Sequence, residues 1–164
     1  MKLINRSLCL LGILCFFVSC STDSVSETDT TANLETTFNR TNDNAFADEV
    51  LSIINAHRAD FGWSPFEEHH EAKMQAVDHT MYMAEKNKVS HDNFFKRSDY
   101  LKKNGAKKVS ENVAYGYRTA EDVVQGWLAS ESHKAAIESD YTGTGLSVVK
   151  NERGINYYTQ IFVK

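Results

Sequence analysis

The chain has three cysteines, Cys9, Cys15 and Cys20, and all lie in its first twenty residues. From Ser21 to Lys164 no pair is left to form a disulfide, so that part must be held by packing alone. A transmembrane helix is also lacking, because the longest apolar stretch, Leu8 to Val18, is shorter than the roughly 20 residues a bilayer requires. There is no internal repeat. Positive residues are scattered without a basic stripe, and the formal charge is −4, which argues against nucleic acid as a partner.

Residues 1–20, MKLINRSLCLLGILCFFVSC, instead have the parts of a secretory signal: Lys2 and Arg6, the apolar stretch, then a small residue before Cys20. Phe17-Val18-Ser19-Cys20 resembles a bacterial lipobox, which implies lipidation of Cys20 and a protein anchored in the cell envelope, outside the cytoplasm, at the outer membrane or cell surface. Removal of Lys2 and Arg6 takes the charge from −4 to −6. Residues 21–44 are rich in Ser, Thr, Asp and Asn without an apolar period, and read as a disordered tether. Residues 45–164 are enough for one sizeable core and too few for two.

Within that domain, FADEVLSIINAHRADFG reads as a first helix ending at Gly62, and SPFEEHHEAKMQAVDHTMYMAEKNK as a long second one starting near Ser64 and Pro65. FFKRSDYLKKNG reads as a third, with Phe95, Tyr100 and Leu101 as its apolar side. SENVAYGY is short and β-prone. TAEDVVQGWLAS opens with Thr119 as N-cap and carries Val123, Val124, Trp127 and Leu128 as a stripe. TGLSVVK and INYYTQIFVK form a terminal hairpin turning at Asn151 to Gly154. Helices first and a terminal hairpin argue α+β, with helices covering an antiparallel sheet.

Ser90-His91 after a long helix, SENVAYG (Ser110 to Gly116), VVQGWLASESHKAAI, YYTQIFV and IINAHRADFG stand in an order that resembles the bacterial branch of the CAP superfamily. This group comprises cysteine-rich secretory proteins, antigen 5 and pathogenesis-related 1 proteins. The resemblance implies a three-layer α-β-α sandwich with a central antiparallel sheet and a cleft lined by histidines and glutamates. His91 matches the family's first cleft histidine, Glu111 its strand glutamate, and His133, six residues after Trp127, the bacterial branch's second histidine. The eukaryotic branch has a glutamate where this chain has Ser130 and a histidine where it has Tyr157, so its tetrad is incomplete here.

Two imidazoles and a carboxylate can bind Zn²⁺ or another divalent cation, which makes His91 and His133 candidate metal ligands. Glu111 is a candidate general base, or the acceptor that fixes a histidine tautomer. The bland alternative is that Glu111 holds a helix-to-sheet corner. Glu131 falls about 100° around a helix from the vacant glutamate position. Ser132 and His133, as neighbours on a helix or turn, do not face each other, and no oriented acid follows, which argues against a serine hydrolase. His57 suits a helix C-terminus, and His69, His70 and His79 read as a solvated face. Phe95, Tyr115, Tyr117 and Trp127 could line a groove for an apolar ligand, although Trp127 at helical spacing reads better as core. Thr159 and Gln160 could lend polar groups to the cleft wall. Three functions remain open: a non-enzymatic binding module for a metal, a small apolar ligand or a protein; a metal-assisted envelope hydrolase or peptidase using His91, His133 and Glu111; and a structural surface protein.

Overall fold

The computed structural model describes residues 42–164. The signal segment, Cys20 and most of the expected tether lie outside the described residues. Asn42, from the end of that expected tether, is buried and bridges Val149. Its side-chain oxygen accepts from Ser147 Oγ at 2.7 Å and from the Val148 amide at 3.0 Å.

Helix α1, Asn44–Asp60, is capped by Asp43, whose carboxylate accepts from the Phe46 amide at 3.1 Å. It buries Ala47, Val50 and Ile54 and stops at Gly62, whose φ of 78° suits only glycine well. The next segment departs from expectation. Ser64 to His69 does not begin a helix but runs extended, with strand β1 at Glu67–Glu68. The reason is local: the Asn55 side chain clasps the Phe66 backbone on both sides, at 2.8 and 3.2 Å, and Phe66 is buried against Phe162.

Helix α2, His70–Lys86, starts only after this, with the His69 ring accepting from the Ala72 amide at 3.3 Å. It ends at Asn87 in the left-handed region. Helix α3 is Phe94–Lys103, strand β2 is Val109–Tyr115, helix α4 is Ala120–Leu128 with Thr119 as its cap, and helix α5 is Glu131–Ile137. Strands β3, Gly143–Lys150, and β4, Asn156–Val163, form the expected hairpin, its turn closed by Asn151 Oδ1 accepting from the Arg153 and Ile155 amides.

The sheet order is β1-β3-β4-β2. β2 and β3 both pair antiparallel with β4, as expected, but β1 pairs parallel with β3, so the sheet is mixed. The fold class is α+β and the arrangement is an α-β-α sandwich. One sheet face packs under α1, α4 and α5 through Val50, Ile54, Val124, Trp127, Ile137, Tyr158 and Phe162. The other lies under α2, where Ala72 and Ala76 meet Ile161 and Val163, and Met83 and Ala84 meet Val113, Val149 and Tyr157. Residues 42–164 carry a hydrophobic core on each side of the sheet.

Arg58 ties the layers. Buried near the end of α1, it donates to the carbonyls of Ser64, Ile137, Ser139 and Tyr141, and its guanidinium lies 3.6 Å from the Phe66 ring centre. These carbonyls include the end of α5, where the helix dipole favours a cation.

Candidate functional site

Strand β2 is an edge strand, and its side chains alternate between the two faces. Glu111 therefore points to the α2 face and Asn112 to the α5 face. The α2 C-cap turns the chain so that Ser90 and His91 come back over Glu111, and α3 follows at once.

His91 and Glu111 meet as expected. Glu111 Oε1 accepts from His91 Nδ1 at 2.8 Å, which makes Nδ1 the donor and fixes the orientation of the ring. The His91 side chain is 52% exposed while that of Glu111 is 1% exposed, so the pair runs from interior to surface.

Two further members were not foreseen. Arg97, from α3, donates from Nε to Glu111 Oε2 at 2.8 Å and from Nη2 to Oε1 at 2.9 Å, a two-pronged grip on a buried carboxylate. Its Nη1 donates to the Asp92 carbonyl at 2.7 Å. His79, read from sequence as solvated, is buried: its Nε2 donates to the Ser90 carbonyl at 2.7 Å and stands 3.9 Å from Glu111 Oε1. Burial pushes the His79 pKa below its ordinary value against the pull of Glu111. The result is one anion, one guanidinium and a neutral imidazole in the interior, with His91 at the rim.

His133 arrives from α5 on the other face. Asn112 Nδ2 donates to its backbone carbonyl at 3.1 Å, fixing α5 to β2. Its pKa is lowered first by burial and then by His91. No contact joins His133 to Glu111 among the described residues. A cavity of about 180 Å³ opens on the α2 side, lined by Gln75, Asp78, His79, Tyr82, Asp92 and Arg97.

The remaining expectations divide. Trp127 is core, its indole N–H donating to the Val113 carbonyl at 3.3 Å. Thr159 and Gln160 are wholly buried in the sheet rather than on a cleft wall, and Thr159 Oγ1 and Gln160 Oε1 have no hydrogen-bond partner. Tyr157 is core, stacked on Tyr115 at 5.9 Å. Glu131 is exposed on the first turn of α5. His57 pairs with Glu138 at 2.8 Å, His69 caps α2, and His70 is exposed. Phe95 and Tyr100 were expected on the buried side of α3 but are 70% and 44% exposed; Arg97 and Leu101 occupy that side.

A three-ligand zinc site does not fit this arrangement. Glu111 is buried under the Arg97 guanidinium, a cation that opposes a metal ion there, and among the described residues no group of three or more His, Cys, Asp or Glu side chains is placed to hold a metal ion.

The family model of the cysteine-rich secretory protein family, CAP, matches residues 51–162. The chain belongs to the CAP family. Relatives of this CAP chain include, from Bacillus subtilis (strain 168), an uncharacterized membrane protein, YlbC, 33% identical over 121 residues, and an uncharacterized protein, YkwD, 28% identical over 124. The matches cover 71% and 73% of this chain but 34% and 47% of those proteins, so the chain spans a third to about half of their length. An extracellular protein containing a SCP domain from Bacillus anthracis str. Ames superposes with a TM-score of 0.63 at 25% identity, over 74% of this chain and 41% of that one. An outer surface protein from Borrelia burgdorferi gives 0.63 at 22% identity, over 70% and 88%, and shows the fold alone. Among the described residues, no helix of this CAP domain is long and apolar enough to cross a membrane.

Proposed function

We propose that this CAP domain is a non-enzymatic binding module held outside the cytoplasm by a lipid on Cys20, presenting the rim of His91 and His133 to a small apolar ligand or a protein partner. One observation carries the reading: the Glu111 carboxylate is already engaged by Arg97 and His91. A general base needs a lone pair for the proton it takes, and a metal ligand needs one for the ion. The Glu111 side chain is 1% exposed and is held by the Arg97 fork and by His91, so it is out of a substrate's reach and its work is to orient His91. The His91 ring, 52% exposed and held through Nδ1, is then a directional polar contact for something that docks. Two imidazoles without a third ligand would hold zinc weakly at most.

The location rests on the signal-like first twenty residues and the lipobox-like Cys20, and is supported by relatives described as a membrane protein and as an extracellular protein.

A hydrolysis screen with peptide and ester substrates, with and without zinc, tests the reading. The mature chain is expected to give no turnover above the blank. Turnover that falls at least a hundredfold in Glu111→Gln would overturn it and restore the metal-assisted hydrolase. Labelling with a fatty-acid analogue that is lost in Cys20→Ser tests the anchor separately.

A further inference from the structure

The helical period places each residue of α3 about 100° from the last. Arg97 and Leu101 face inward on that period, with Arg97 held by Glu111. Going round the opposite side, Lys102, Phe95, Asp99, Lys103, Lys96 and Tyr100 share one outward arc of about 160°, and all six are exposed. Two of them are large aromatics that no part of the fold covers, Phe95 at 70% and Tyr100 at 44% exposure. Lys96 Nζ lies 5.9 Å from the Phe95 ring centre, and Asp99, the single acid on the arc, is paired with Lys103 at 2.7 Å.

The positive charge continues beyond the helix. Lys107 and Lys108 follow the turn at Gly105, and the terminal Lys164 joins them because its backbone pairs with that of Lys108 at 3.0 and 3.2 Å. Asp140 sits between the Lys108 and Lys164 side chains. Lysines dispersed in sequence are therefore gathered along α3 and the turn after it, where Lys96, Lys102, Lys103, Lys107, Lys108 and Lys164 outnumber Asp99, Asp140 and, across the cavity beside Gly105, Glu67 and Glu68, the last already paired with Lys73, in a chain whose formal charge is −4.

We infer that the outward face of α3, with this lysine cluster, is a docking surface for an anionic lipid bilayer, lying flat on the headgroups with Phe95 and Tyr100 inserted at their level. Lysines beside aromatics on the polar-to-apolar boundary of a helix is the composition that interfacial helices use, and the charge complements an anionic leaflet. A soluble polyanion would use the lysines but offers nothing to two exposed rings. Twenty-one residues separate Cys20 from Asn42, on the order of 70 Å when fully extended, which lets this face turn to the membrane that carries the anchor. The inference draws on the envelope reading above only for the bilayer's presence. The face itself does not require lipid on Cys20.

Co-sedimentation of the unlipidated chain from Ser21 to Lys164, which retains every described element and omits the apolar Leu8 to Val18 run, tests it with two kinds of vesicle. One kind is 30% phosphatidylglycerol in phosphatidylcholine, and the other is phosphatidylcholine alone. Partitioning onto the anionic vesicles is expected to be at least tenfold stronger and to weaken with salt. It should drop at least tenfold in Phe95→Ser/Tyr100→Ser and again in Lys102→Glu/Lys107→Glu, with unchanged melting temperatures because all four side chains are exposed. Equal partitioning on both vesicles would overturn the proposal. So would aromatic variants that bind as well as the parent, which would mark a generic polyanion surface. Failure here leaves the Cys20 anchor untouched, whereas absent fatty-acid labelling with intact vesicle binding would remove the anchor and keep this surface.

Discussion

At the residue scale, the parts of the site that lie on recognisable motifs were legible and the parts that balance them were not. His91 and Glu111 were visible through the resemblance to the CAP family, whose pieces follow one another here in the family's order. His79 was hidden by the assumption that histidines on a polar-looking helix face water. Its spacing held the contrary signal, since Ala72, Ala76, His79 and Met83 form an i, i+4, i+7, i+11 stripe, and all four are buried. That burial makes His79 sensitive to pH. Its pKa is lowered by desolvation, raised in part by Glu111 and the Ser90 carbonyl, and lowered further by Arg97 and His91. The unfolded chain then binds a proton at this residue near pH 6.5 while the folded chain resists it, so acidification favours unfolding. Its contribution to stability is full above about pH 6.5 and is lost as pH falls through the lower folded value. His79→Gln keeps an N–H for the Ser90 carbonyl but cannot titrate. In thermal melts at pH 7.5 and 5.5 the parent is expected to lose more melting temperature than this variant. Equal losses would show that His79 does not carry the dependence.

At the element scale, the helix and hairpin readings held where capping and turn residues were explicit, as at Thr119, Gly62 and Asn151. Two failed for geometric reasons. Arg97 and Leu101, four residues apart and about 40° around the helix, take the inner side of α3, which leaves Phe95 and Tyr100 on the outer arc. β1 is only two residues long and paired to a distant strand, so no local period announces it. The seating of α2 on the sheet was equally hidden, because it depends on a glycine that reads as an ordinary strand residue. A Cβ at Gly145 would lie 2.0 Å from the Lys73 nitrogen and 2.2 Å from the Ala72 carbonyl carbon, both helix backbone that cannot move alone. At Gly126 the obstruction is the hydroxyl end of the exposed Tyr117, at 2.3 Å, which can rotate away. Gly145→Ala is therefore expected to lower stability by several kcal/mol or prevent folding, in line with overpacking that a core cannot relax, while Gly126→Ala costs on the order of 1 kcal/mol or less. Denaturant melts of the two variants compare them directly, and similar midpoints would refute this account of how α2 is seated.

At the scale of the whole molecule, stability is unevenly spread, and the site lies where it is thinnest. β4 is central and buried along its whole length, so its amides should exchange only through global opening. α3 contributes just Arg97 and Leu101 as fully buried side chains, and one of these is a charge whose burial is compensated by Glu111. Because the described fold has no disulfide to restrain it, that ion pair is the main clamp on α3 and, through it, on the loop that aims His91. Removing one partner of a buried pair typically costs about 3–5 kcal/mol, since the other is left uncompensated. In Glu111→Gln the guanidinium loses its anion, and the cheapest response is for α3 to swing out and hydrate it rather than for the sandwich to unfold. Hydrogen exchange read by mass spectrometry is expected to rise at least tenfold across Phe94–Lys103, with a much smaller change across Asn156–Val163. A uniform rise in both segments would mean that the pair supports the entire core, and no rise in α3 would mean that Leu101 alone suffices to hold it.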